Sequence, residues 1–155
     1  MLADPELAAE IAALPGDALA GFVTSLASTV SAGTAAMTTM VGYVDATSGP
    51  GTGALVAGTY ASTSRFLQVE TGMSKKTASA TIARARDLRG DYQVLAQPWL
   101  TGRVSSDAVR EMTVGITSAL KSSALPAAER DTARASVLDS VLPVAEVGTV
   151  RTSPG

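Results

Sequence analysis

Residues 62–90 read STSRFLQVETGMSKKTASATIARARDLRG, and this stretch decides the fold class. A helix over about 61–70 is stopped by Gly72, and Ser74 is placed to cap a second helix from Lys75 to about Arg89, ended by Gly90. Two helices joined by a short Gly-containing turn have the outline of a helix-turn-helix. At roughly 100° per residue, Ala78, Ile82, Ala85 and Leu88 gather on one arc of the second helix, its expected core face. Lys76, Arg84 and Arg86 point to the open side but are spread widely, while Lys75 and Arg89 fall along the apolar edge.

Toward the N-terminus, Leu26, Val30, Gly33, Met37, Met40 and Val44 recur in steps of three and four after Val23. They predict one long helix over 17–45, with Asp17 as its cap and a narrow Val/Leu/Met stripe. No charge lies between Asp17 and Asp45, so a membrane span must be weighed. The other faces of this helix are Ala, Ser, Thr and Gly, whereas a spanning helix is apolar all round. The pattern favours a soluble helix lying along other helices, with no membrane partner. A short helix opens at Asp4-Pro5-Glu6 and closes at Pro15-Gly16. Residues 47–58, TSGPGTGALVAG, predict a Gly-rich loop; they lack the Gly-Lys-Ser/Thr ending of a phosphate-binding loop.

Toward the C-terminus, residues 91–101 look helical but contain Pro98, which should break or kink the helix. Ser105 or Ser106 caps the next helix, where Val109, Met112, Ile116 and Leu120 form a clear apolar stripe. Pro126 at a first helical position opens a last helix, with Ala133, Val137, Leu138 and Val141 facing inward until Pro143. No segment alternates as a strand does. The expected fold is all-α, an irregular bundle of about six helices with one long N-terminal helix and a helix-turn-helix-like pair. Residues 1–145 are read as a single domain, and 146–155 as a disordered tail or truncation point.

Neither Cys nor His occurs in the chain. That excludes thiolate nucleophiles, Cys/His metal sites and imidazole general acids or bases, and no cofactor is implied. The first residues lack the basic segment of a secretory signal, so a cytoplasmic location is expected. Residues 1–64 hold five acids and no base, whereas 65–110 hold eight bases against four acids, so a polyanion would meet the middle of the chain. The candidate phosphate contacts to DNA are therefore Lys75, Lys76, Arg84 and Arg86. The competing reading is a solvated basic face weakened by Asp87 and Asp91. Tyr92 and Trp99 could stack on bases or complete the core. Asp107 and Glu111 share a helix face, but the helix dipole and Arg110 account for them without a metal.

Three stretches carry a family resemblance: STSRFLQVETGMS, the Ala-rich basic helix TASATIARARDL, and LTGRVSSDAVREM. Together they resemble the domain of unknown function 222 family, which precedes HNH endonuclease domains in many actinobacterial proteins. The likeness extends more loosely to the long helix and to LPAAERDTARASVL, covering most of residues 17–142, with 60–142 as the helical family core. The resemblance implies an all-helical, non-catalytic accessory module that contacts DNA or a partner. It does not imply nuclease activity, because an HNH site requires His. A C-terminal nuclease domain or a second copy is then the expected protein partner, contacted through the small-residue faces of the 17–45 helix. On this reading the chain is the front portion of such a protein or a remnant of one.

Overall fold

The computed structural model describes residues 4–48 and 60–150, with side chains as far as 146. Most of the expected Gly-rich loop and the end of the expected tail lie outside the described residues. Within them the chain is all-α, with seven helices and no strand. Helix α1 spans Pro5–Ala12, and Asp4 caps it by accepting from the backbone N–H groups of Glu6 (2.9 Å) and Leu7 (3.4 Å). Helix α2, Gly16–Thr47, is 32 residues long, about 48 Å at 1.5 Å per residue. Its N-cap is Pro15 rather than Asp17, which instead lies in the first turn against the positive end of the dipole. Threonine is a poor helix former, yet the hydroxyls of Thr24, Thr29, Thr34, Thr38, Thr39 and Thr47 each donate to the carbonyl four residues earlier. This long Thr-rich segment therefore satisfies its hydroxyls within its own helix.

Helices α3 (Thr63–Thr71) and α4 (Lys75–Arg89) form the expected pair. Ser62 accepts from the Arg65 N–H and Ser74 from the Thr77 N–H, each serving as an N-cap. Gly72 closes α3 with φ of 71°, a left-handed conformation that favours glycine. A 3₁₀ turn, Gln93–Leu95, leads into α5, Ala96–Leu100. Pro98 does not kink a longer helix there. It is the third residue of α5, where the missing N–H would have had no partner within the helix. Helix α6, Ser106–Ser122, is capped by Ser105, and its buried face contains Val109, Met112, Ile116 and Leu120 as the spacing predicts.

Helix α7, Ala127–Val150, runs through Pro143 instead of ending there. Leu138 is buried, but Val137 and Val141 face solvent, and Leu142 and Ala145 pack on the core in their place. The Glu146 carboxylate also meets Arg103 at 3.3 Å. These contacts beyond the proline hold the helix past the missing hydrogen bond. Two apolar clusters organise the molecule. The larger joins Ala35, Leu88, Leu95, Val104 and Leu138 to Tyr92, Trp99 and the buried face of α6. The smaller joins Val41, Leu67, Ala78, Ile82 and Ala85, where α2, α3 and α4 meet. Tyr92 and Trp99 are therefore core residues with no face open to a base.

The long helix presents its faces in an unexpected way. Ala35, Thr38, Val41 and Gly42 are the buried residues of α2, so the small-residue face packs on the body. Much of the larger stripe remains outside: Val23, Leu26 (63% exposed), Val30 (67% exposed) and Met40 face solvent, with Phe22 beside them, whereas Met37 packs on the smaller cluster and Val44 is half-buried. Every residue from 21 to 30 is exposed, and anchoring begins near Ser28 and Ser31. The Ser31 hydroxyl lies 3.0 Å from the Ser106 hydroxyl and accepts from the Ser106 N–H at 3.0 Å.

Candidate functional site

Two surfaces are candidates for a functional site: the basic helix α4 and the open stripe of α2. On α4, Ala78, Ile82, Ala85 and Leu88 are all buried, which fixes the direction of the bases. Lys75 and Lys76 are exposed in the first turn and form no ion pair among the described residues. Two cations there oppose the helix dipole, which favours anions at that end. Arg84 does not reach open solvent: its side chain is 15% exposed and Nη1 lies 3.8 Å from Asp87 Oδ2. That nitrogen has no hydrogen-bond partner among the described residues. Burial lowers the pKa of the Arg84 guanidinium and raises that of the Asp87 carboxyl, so both members of this loose pair bear a desolvation penalty.

Arg86 is exposed but engaged. Its Nε and Nη2 donate to the two oxygens of Asp45 at 2.9 and 3.0 Å, a bidentate fork, and Arg89 Nη2 adds a third bond at 3.0 Å. The Asp45 side chain is only 11% exposed. The four sequence candidates thus do not form one surface. The lysines are free at one end of α4, Arg84 is tucked against its own helix, and Arg86 ties α4 to the last turn of α2. Asp45 is the residue that sequence reading passed over. Its signal was its isolation, since it is the only charged residue between Asp17 and Arg65.

The hydrogen bond from Arg86, opposed by partial burial and assisted by Arg89, holds the Asp45 carboxyl below its ordinary value. A depressed carboxyl pKa contributes stability that is present above the unfolded value of about 3.9 and is lost as pH falls through the folded value. Asp45→Asn should cost about 1 kcal/mol at neutral pH, because Arg86 is largely solvated and screening discounts the pair. The check is urea unfolding at pH 7 and near pH 2.5. The difference between wild type and variant should shrink at the lower pH.

Asp107 pairs with Arg110 at 3.5 Å, and no group of three or more candidate metal ligands occurs among the described residues. The open stripe of α2 is the other candidate. By length and composition α2 could cross a membrane. However, its unanchored part, residues 16–27, is only about 18 Å long against a hydrocarbon core of about 30 Å. From Ala35 onward the helix is built into the core, against α4 and α5. No family model, curated protein or solved structure matches this chain.

Proposed function

We propose that the chain is a non-catalytic helical interaction module, as its resemblance to the domain of unknown function 222 family implies, and that it docks on another helix through the open stripe of α2. One observation carries this reading. Large apolar side chains on one face of a single helix remain in solvent, while the small-residue face of that helix is used for internal packing. Contiguous exposed apolar surface of this kind marks an interaction site. An interfacial membrane helix would carry Lys or Arg on its polar face, and α2 has neither. The test is Leu26→Gln combined with Val30→Gln. As surface changes these should alter stability by less than about 1 kcal/mol and leave helical content intact, while abolishing association detected by light scattering. A loss of several kcal/mol would instead mean that the stripe is internal packing, and would overturn the reading.

A second reading, DNA contact, rests on Lys75 and Lys76, which are exposed and unpaired against the helix dipole. Two phosphate contacts give a log–log salt dependence with slope of about −2. Duplex binding at low salt should therefore be weak, steeply salt-sensitive, and lost in the Lys75→Ala, Lys76→Ala variant. Arg86→Ala should change it little, because Asp45 already neutralises that guanidinium. Binding that is absent at low salt, or unaffected by removing the lysines, rules this reading out.

A further inference from the structure

We infer that the occupant of the α2 stripe is a second copy of this chain, paired with the first in a parallel two-stranded coiled coil; this rests on the docking role proposed for that stripe. From Val23 the stripe advances Leu26, Val30, Gly33, Met37, Met40, Val44, an unbroken alternation of three- and four-residue steps. That is the 3.5-residue repeat of a supercoiled pair; its open portion runs from Leu19 to Val30, since Met37 packs on the smaller core cluster. Val23 and Val30 take the first apolar position of the heptad and Leu19 and Leu26 the second, the β-branched/Leu combination that favours two parallel strands. Gly33 leaves one layer without a side chain, so the well-packed part of the seam ends near Val30.

The charge pattern admits an identical partner. Coiled coils select a different partner through charges flanking the seam, and α2 has no charged residue between Asp17 and Asp45. Two identical helices meet there without like-charge repulsion. The geometry also permits it. The buried face, centred near Thr38 and Gly42, lies about 120° around the helix from the seam. A two-fold axis along α2 would therefore hold the two bodies on opposite outer sides. Covering the exposed apolar side chains from Leu19 to Val30 on both copies buries on the order of 1,000 Å², the lower bound for a specific contact.

The full chain contains no cysteine, so an introduced one reports only its own position. Sedimentation equilibrium should give a concentration-dependent doubling of the 15.6 kDa mass. Under mild oxidation Val23→Cys and Val30→Cys should each form a self-cross-linked dimer, and Thr24→Cys, off the seam, should not. Cross-linking of Val23→Cys to Val30→Cys in a mixture, with neither linking to itself, would show antiparallel pairing and overturn the inference. A monomer at all concentrations would also overturn it. If that monomer tolerates Leu26→Gln with Val30→Gln and binds a synthetic apolar heptad peptide, the docking role stands with a different occupant. If it binds only phosphatidylcholine vesicles, both readings fall.

Discussion

Trp99→Ala is expected to lower stability by about 3–5 kcal/mol, the range for removing a buried indole. The ring is 3% exposed, and it sits in the larger core cluster with Tyr92 and the buried face of α6. Its Nε1 donates to the Ser106 hydroxyl at 3.0 Å, and Ser106 is in turn bonded to Ser31 of α2. The substitution therefore opens a cavity and removes the group that fixes the Ser106 hydroxyl where α5, α6 and α2 meet. In a chain of this size the loss corresponds to a fall in melting temperature on the order of 10 °C. Trp99→Phe keeps much of the volume but not the donor, and should lose about 1–2 kcal/mol. Thermal unfolding followed by circular dichroism distinguishes the two. Equal losses would show that the hydrogen bond, and not the packing, dominates.

Gly42 is the second sensitive point, and here the sign depends on the size of the replacement. A Cβ at this position would lie 3.5 Å from the Ala85 Cβ and 3.5 Å from the Arg89 Cδ, ordinary van der Waals contact. Gly42→Ala is therefore accommodated and should stabilise by about 0.5–1 kcal/mol through helix propensity alone. Gly42→Leu has no space. It must push α4 away from α2 and displace Arg89 from Asp45, an overpacking loss of about 3 kcal/mol. Urea unfolding of the pair measures both. A destabilising alanine would show that the two helices approach more closely than this contact allows.

What was legible in the sequence divides along physical lines. The buried faces of α4 and α6 were readable because large or uniformly apolar residues recur with helical period against polar neighbours, and both bury as expected. The caps at Ser74 and Ser105 and the stop at Gly72 were readable from local chemistry alone. The faces of α2 were not. Periodicity locates a stripe but does not say what covers it, and hydrophobicity ranks Val, Leu and Met above Ala, Thr and Gly. The body selects the small face because α4 presents Ala78 and Ala85, and small residues on both helices allow close approach. Pro143 misled for a related reason: a proline weakens a helix locally, but Leu142, Ala145 and Glu146 make contacts that only the folded chain supplies.

The basic segment shows the same limit. Its charges were countable, but their partners were not. Asp45 is 41 residues from Arg86 and 44 from Arg89, and nothing in the local pattern links them. The structure uses two of the segment's arginines to fasten α4 to α2, while Arg65, Lys75 and Lys76 are exposed.

Helix α2 has an anchored half built into the body and an open half, which we propose only a partner covers. Hydrogen exchange of the α2 amides at low and high protein concentration tests this most directly, because protection follows local stability. Amides of residues 35–42 should be strongly protected at both concentrations. Those of residues 18–30 should exchange quickly when the chain is dilute and become protected as concentration rises. Equal, concentration-independent protection of the two parts would contradict the account, since the stripe would then be covered within the chain itself.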